Sequence, residues 1–217
     1  MIKENKFSKY FLYAVGEIIL VVIGILIALS INNWNQSKKQ DIAEKEFIEG
    51  IKNDLKQDKQ YMELIIRHIE PKIEAYTILD KEFTMLYKKD KNALDSLFQI
   101  YFVSQRTFYP ISGSFQAAIA GNEINAFKNK ELTRVIIKLY NSTYDRLVDI
   151  GETTNERWEY LSRKYSHLRR TVSFRILNET QLSDLLDDMY HLSAQLLYYQ
   201  NQLNKDIAKI DAILKED

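Results

Sequence analysis

Three observations predict an all-α protein in which one N-terminal transmembrane helix leads into an elongated bundle of long helices. Residues 11–31, FLYAVGEIILVVIGILIALSI, form an apolar run with a single charge, Glu17. Downstream, apolar residues recur every seven positions over two long stretches. The 217 residues include only 6 Gly and 2 Pro, residues that turns require and helix interiors avoid.

Roughly 20 apolar residues cross a hydrocarbon core of ~30 Å, so the run is read as a membrane span. A cleaved signal peptide is the competing reading, with Ala28-Leu29-Ser30 as a passable cleavage triplet. The run exceeds the usual signal core of about 7–15 residues. Trp34, with Asn32, Asn33 and Asn35, forms an interfacial collar, and Tyr10 and Tyr13 form the opposite one. A retained anchor follows. Lys3, Lys6 and Lys9 adjoin the span on one side, whereas Lys38, Lys39 and Lys45 follow it at greater distance. That bias places residues 1–9 in the cytoplasm, 10–33 in the membrane, and 34–217 outside as one helical bundle domain.

Composition narrows the chemistry. The 30 Lys and Arg balance the 30 Asp and Glu, so no strongly basic domain invites nucleic acid. With no Cys, disulfides, thiolate metal sites and Cys nucleophiles are excluded. The 14 Tyr are expected to bury their rings and leave their hydroxyls at wet edges.

The first long bundle helix is expected from about residue 41 to 88. Ile48, Leu55, Met62, Ile69, Tyr76 and Phe83 hold one heptad position, and Ile51, Ile65, Leu79 and Leu86 hold another. Pro71 predicts a kink or break over residues 67–70, because it removes one backbone donor. The Lys-Lys-Asp-Lys-Asn run at 88–92 ends the helix. A shorter helix is expected over 94–105, a strand there being the weaker reading. Pro110 and Gly113 mark a turn, with Ser112 or Ser114 capping the short helix FQAAIAG and Gly121 closing it. Asn129 caps the next helix, which runs to about Val172 with Gly151 as its weakest point. Asn178 caps the last, where Leu182, Met189, Leu196, Leu203 and Ile210 repeat at sevens beside Leu185, Leu192 and Tyr199.

The segment YAVGEIILVVIGILIALSINNWN resembles the N-terminal signature of a large uncharacterised family of single-span membrane proteins from Bacteroidota. RTFYPISGSFQAAIAGNEINAFKNKELTRVIIKLY resembles that family's second recurring block, in which a Ser-Gly turn and short helix lead to an Asn-Lys-Glu-Leu helix start. Here Ala120-Gly121-Asn122 stands where that block has Ser-Gly-Asn or similar. The resemblance implies a bacterial inner-membrane protein with its helical domain in the periplasm, and no reaction.

Nor do the residues announce one. No phosphate loop, dinucleotide fingerprint, nucleophile elbow or HExxH occurs. Asp188 and His191 form an i, i+3 pair, but the remaining carboxylates and second pair of a di-iron bundle are missing. No cofactor or metal is therefore expected. The acceptor patterns at Asn141 and Asn178 are read as chance matches. Arg163, Lys164, His167, Arg169, Arg170 and Arg175 cluster between the last two long helices. The plain reading is a solvated helix end. If the helix from Asn129 descends toward the bilayer, Arg169, Arg170 and Arg175 would instead meet anionic headgroups.

Within the span, Gly24 and Ala28 form a small-xxx-small pair, and Glu17, Gly24 and Ile31 share one heptad face. The expected function is thus a non-enzymatic structural or protein-interaction component of the membrane. It would be a homo-oligomer joined through Glu17, Gly24, Ala28 and Ile31, with an envelope protein as its further partner. The alternative is an ion-conducting or signalling assembly that uses Glu17.

Overall fold

The computed structural model describes residues 6–166 and 178–216, and all the regular structure among them is helical. Helix α1 spans Lys6–Lys89 without interruption. Its 84 residues make a rod of about 125 Å at 1.5 Å per residue. The apolar segment and the first bundle helix are therefore one element, and the break expected at Pro71 does not occur. Pro71 and Arg67 both lie on the exposed face, so the carbonyl deprived of its donor meets solvent. On the opposite face Ile65, Ile66, Ile69 and Ala75 are buried on both sides of the proline. Each large buried side chain contributes roughly 1.5–3 kcal/mol, against about 3 kcal/mol for an interior proline. Packing wins.

Helix α2 (Lys91–Tyr101) turns back along α1, its N-terminus capped by Asp90, whose Oδ1 accepts the Ala93 N–H at 3.0 Å. Residues 104–112 then form an extended strap without regular structure. Helix α3 (Gly113–Ala120) follows. Neither Ser112 nor Ser114 caps it through a side chain: Asp54 of α1 accepts the Ser114 N–H at 3.1 Å instead. Gly121 keeps a right-handed backbone, and the left-handed turn residue is Asn122, φ 54°.

Asn129 caps α4 (Lys130–Lys138), with the Leu132 N–H donating to its Oδ1 at 3.0 Å. The chain continues through a π-helical segment, Leu139–Tyr144, into α5 (Asp145–Lys164). Gly151 is no weak point. An ideal Cβ there would lie 2.8 Å from both Thr107 Cγ2 and the Tyr199 hydroxyl, so Gly151 permits a close approach. Helix α6 (Glu179–Lys215) opens with a reciprocal capping box between Asn178 and Gln181. Its repeat residues Leu182, Met189, Leu196, Leu203 and Ile210 are all buried.

Pairings along α1 establish the direction of each element. Glu44 meets Lys128 and Asn129, Asp58 lies against Tyr144, and Lys72 reaches Trp158. Rising positions on α1 thus match rising positions on α4–α5, and the two run parallel. Lys52 meets Glu216, Lys59 meets Asp211, and Glu70 meets Gln200, so α6 runs antiparallel. The return toward the apolar segment is made by α2, the strap and α3. The helix from Asn129 therefore ascends, contrary to the direction that would bring the following turn to the bilayer. Arg169, Arg170 and Arg175 themselves lie outside the described residues. The flanking Lys164 pairs with Asp188 at the end of the bundle remote from the apolar segment.

Candidate functional site

Two regions stand out: the uncovered apolar half of α1, and a row of charged side chains inside the bundle. The first is the one expected from sequence. Glu17, Gly24, Ala28 and Ile31 are all exposed, and no residue of the apolar window is buried. An ideal Cβ on Gly16 or Gly24 would meet nothing within 4 Å, so nothing in the same chain occupies the small-residue face. Tyr10, Tyr13 and Trp34 are likewise exposed at its ends, with Lys38 Nζ 5.5 Å from the Trp34 ring.

Sequence reading missed the second region, although the signal was present. The heptad position of Ile51, Ile65, Leu79 and Leu86 also contains Asp58 and Lys72, each 1% exposed. In α6 the position of Leu185, Leu192 and Tyr199 continues to Asp206, which is buried too. A charge falling in register on an apolar seam marks a buried polar group.

Asp58 and Lys72, with neighbouring tyrosines, hold the strap. Buried backbone N–H and C=O groups require partners, and a segment without regular structure cannot supply its own. Lys72 Nζ donates to Val103 O at 2.6 Å, Ser104 O at 3.1 Å and Gln105 Oε1 at 3.0 Å. His68 Nε2 also meets the Ser104 carbonyl. Tyr61 donates to Thr107 O at 3.3 Å, and the Phe108 N–H donates to the Tyr199 hydroxyl at 2.8 Å. Asp58 Oδ1 accepts the Ile111 N–H at 2.9 Å, while Tyr140 donates to Ile111 O at 3.2 Å.

The expectation of wet hydroxyls consequently fails for several tyrosines. Tyr101, Tyr144 and Tyr199 are fully buried, and Tyr101 donates to Met189 O at 2.9 Å. Tyr140 and Tyr144 both emerge from the π segment, where the Tyr140 ring stacks on Phe115 at 4.6 Å and Tyr144 meets Phe108 at 5.2 Å.

Burial sets the electrostatics. Desolvation pushes the Lys72 amine down from its ordinary 10.5 to about 7. It pushes the Asp58 carboxyl up from 3.8 to about 6, against the opposing pull of the Ile111 N–H. Asp58 Oδ2 and the Tyr144 hydroxyl, buried beside each other, each lack a partner at standard hydrogen-bond geometry. The Asp206 carboxyl is raised by burial, with Lys209 at 2.7 Å pulling the other way.

Among the described residues no group of three His, Cys, Asp or Glu side chains could hold a metal ion. Asp188 is engaged by Lys164 and the Tyr165 hydroxyl. Clefts between α5 and α6 measure ≈260 Å³ beside Arg146, Gln195 and Tyr198, and ≈220 Å³ beside Ser142, Asp206 and Lys209. A third cleft, beside Glu156, Tyr160 and Arg163, measures ≈380 Å³, within the roughly 300–1,000 Å³ usual for small-molecule sites.

No curated protein and no solved structure matches the chain. Residues 17–192, most of the apolar segment through the first turns of α6, match a family of unknown function, DUF6090, and the chain belongs to that family.

Proposed function

We propose that the protein is a non-enzymatic membrane-anchored component that presents a helical bundle outside a bacterial inner membrane and assembles with copies of itself through the span. The uncovered apolar half of α1 carries this reading. A soluble bundle would bury such a stretch, whereas a bilayer solvates it. The face of Glu17, Gly24, Ala28 and Ile31 suits a second span, because small residues let two helix backbones approach. A charged side chain near the bilayer centre costs about 2.5–3.5 kcal/mol on insertion scales, so a helix interface that pairs or protonates Glu17 is a better environment than lipid. The second reading, ion conduction, rests on that same carboxyl.

Assembly of the detergent-extracted chain tests both. Glu17→Gln should preserve the oligomer, Glu17→Ala should weaken it, and Gly24→Leu should weaken it further. Parent-like assembly of all three variants removes this face as an interface. A Gln variant that assembles normally but abolishes an ion flux favours conduction.

A further inference from the structure

The face of Glu17, Gly24 and Ile31 does not stop at the end of the apolar segment. Three steps of eleven residues along α1 lead from Ile31 to Ile42, Asn53 and Leu64. Three further steps of seven lead to Pro71, Ile78 and Met85. Every residue of this series is exposed. A step of seven closes about two turns of helix and a step of eleven about three. The 68 residues separating Glu17 from Met85 therefore take about 19 turns, or ~3.6 residues per turn. They lie on one side of an uninterrupted helix.

That side faces away from the rest of the chain. Leu55, Met62 and Ile69, all fully buried, precede Leu64, Pro71 and Ile78 by nine residues, about two and a half turns. The stripe is thus diametrically opposite the core. Ile42, Leu64, Ile78 and Met85 each leave over a third of their surface to water. Scattered singly, such residues need no explanation, whereas apolar side chains kept in phase mark a contact surface. The series from Leu64 to Met85 extends about 30 Å along the helix. The stretch between Ile42 and Leu64 is polar, with Glu46, Glu49 and Gln60 beside Asn53, and contributes no grip.

Resting on the span interface proposed above, we propose that the back of α1 from Leu64 to Met85 binds the same face of a second copy of this chain. The two subunits stand back to back, with their α1 helices parallel and in register. Three features select a second copy as the occupant. The stripe is in phase with the small-residue face of the span, so one orientation of two rods brings both faces into contact. Copies that cross one bilayer in the same direction start from one plane, so each stripe residue meets its own counterpart, as a two-fold interface requires. Steps of seven favour a left-handed supercoil and steps of eleven a right-handed one, so their alternation lets two rods run side by side nearly straight. The span contact keeps the copies at high effective concentration, and a narrow apolar seam suffices above it.

The chain has no native cysteine, so single-cysteine variants of the full chain report self-contact without background. Ile31→Cys, Leu64→Cys, Ile78→Cys and Tyr190→Cys would be oxidised in phosphatidylcholine vesicles and their disulfide dimers followed over time. Tyr190 is exposed on α6, which packs on the core side of α1, and it lies near the height of Ile78 beside Tyr76. It measures random collision at that height. Leu64→Cys and Ile78→Cys should cross-link several-fold faster than Tyr190→Cys, as should Ile31→Cys, because a disulfide needs Cα atoms within about 7 Å. Met85→Cys probes the same stripe should either variant fold poorly. Fast cross-linking at Ile31, with the stripe positions no faster than Tyr190, overturns the back-to-back pairing and leaves the span interface standing. Silence at Ile31 as well overturns the span interface, and the pairing with it.

Discussion

The Lys72 ammonium donates to the Val103 carbonyl at 2.6 Å, inside the bundle and beneath the Trp158 ring. Through that bond and its neighbours, the middle of an 84-residue helix holds a strap with no regular structure of its own. Lys72→Met should be destabilising even though methionine suits a core position. It removes the donor to the buried Gln105 Oε1 and to the part-buried Val103 carbonyl, at about 1–3 kcal/mol for each acceptor left unsatisfied, while removing the desolvation penalty of the amine; the Ser104 carbonyl keeps His68. A net loss of about 2–4 kcal/mol is expected in urea unfolding followed by Trp fluorescence. Unchanged stability would mean that the strap finds other donors.

Asp58 and Lys72 bracket neutrality with opposite signs. The Asp58 carboxyl has a folded value of about 6 against 3.8, so its contribution is fully present below pH 3.8 and is lost as pH rises through 6. Lys72 has a folded value of about 7 against 10.5, so its contribution is present above 10.5 and is lost as pH falls through 7. Their joint contribution is smallest between pH 6 and 7. Asp58→Asn should flatten the acid arm of a stability–pH curve, and Lys72→Met the alkaline arm. Identical pH profiles for parent and variants would remove these groups as the titrating pair.

Glycine substitutions discriminate packing from backbone freedom. At Gly151 a methyl would strike Thr107 and the Tyr199 ring, which is itself held by the Phe108 N–H. Gly151→Ala should cost about 1–3 kcal/mol through overpacking, despite alanine's better helix propensity. Gly50→Ala meets only the Ser114 side chain, whose Oγ at 2.7 Å can rotate away while its Cβ at 3.1 Å must give slightly. Thermal unfolding should rank Gly50→Ala well above Gly151→Ala. The reverse order would show that the Thr107–Tyr199 wall yields.

Topology is checked by a reporter active only outside the inner membrane, fused after Lys59. It should be active, and the mature chain should retain Met1. A silent fusion reverses the orientation, and loss of the N-terminus makes the apolar run a signal peptide.

The sequence alone determined the helical class, the apolar segment, the caps at Asn129 and Asn178 and the core seam of α6. Each depends on periodicity or on side chains within a few residues of one another. Tertiary structure alone decided what long-range neighbours control. Pro71 stays inside α1 because the faces around it are already packed. Asp54 caps α3 from 60 residues away, displacing the serines beside it. Direction along the bundle was beyond local pattern as well, because the return journey is shared by two short helices, α2 and α3, and the strap of 104–112 between them. A strap has no periodicity to read. Its partners, Asp58 and Lys72, were visible only as charges on an apolar seam, and the backbone groups they satisfy come from elsewhere in the chain.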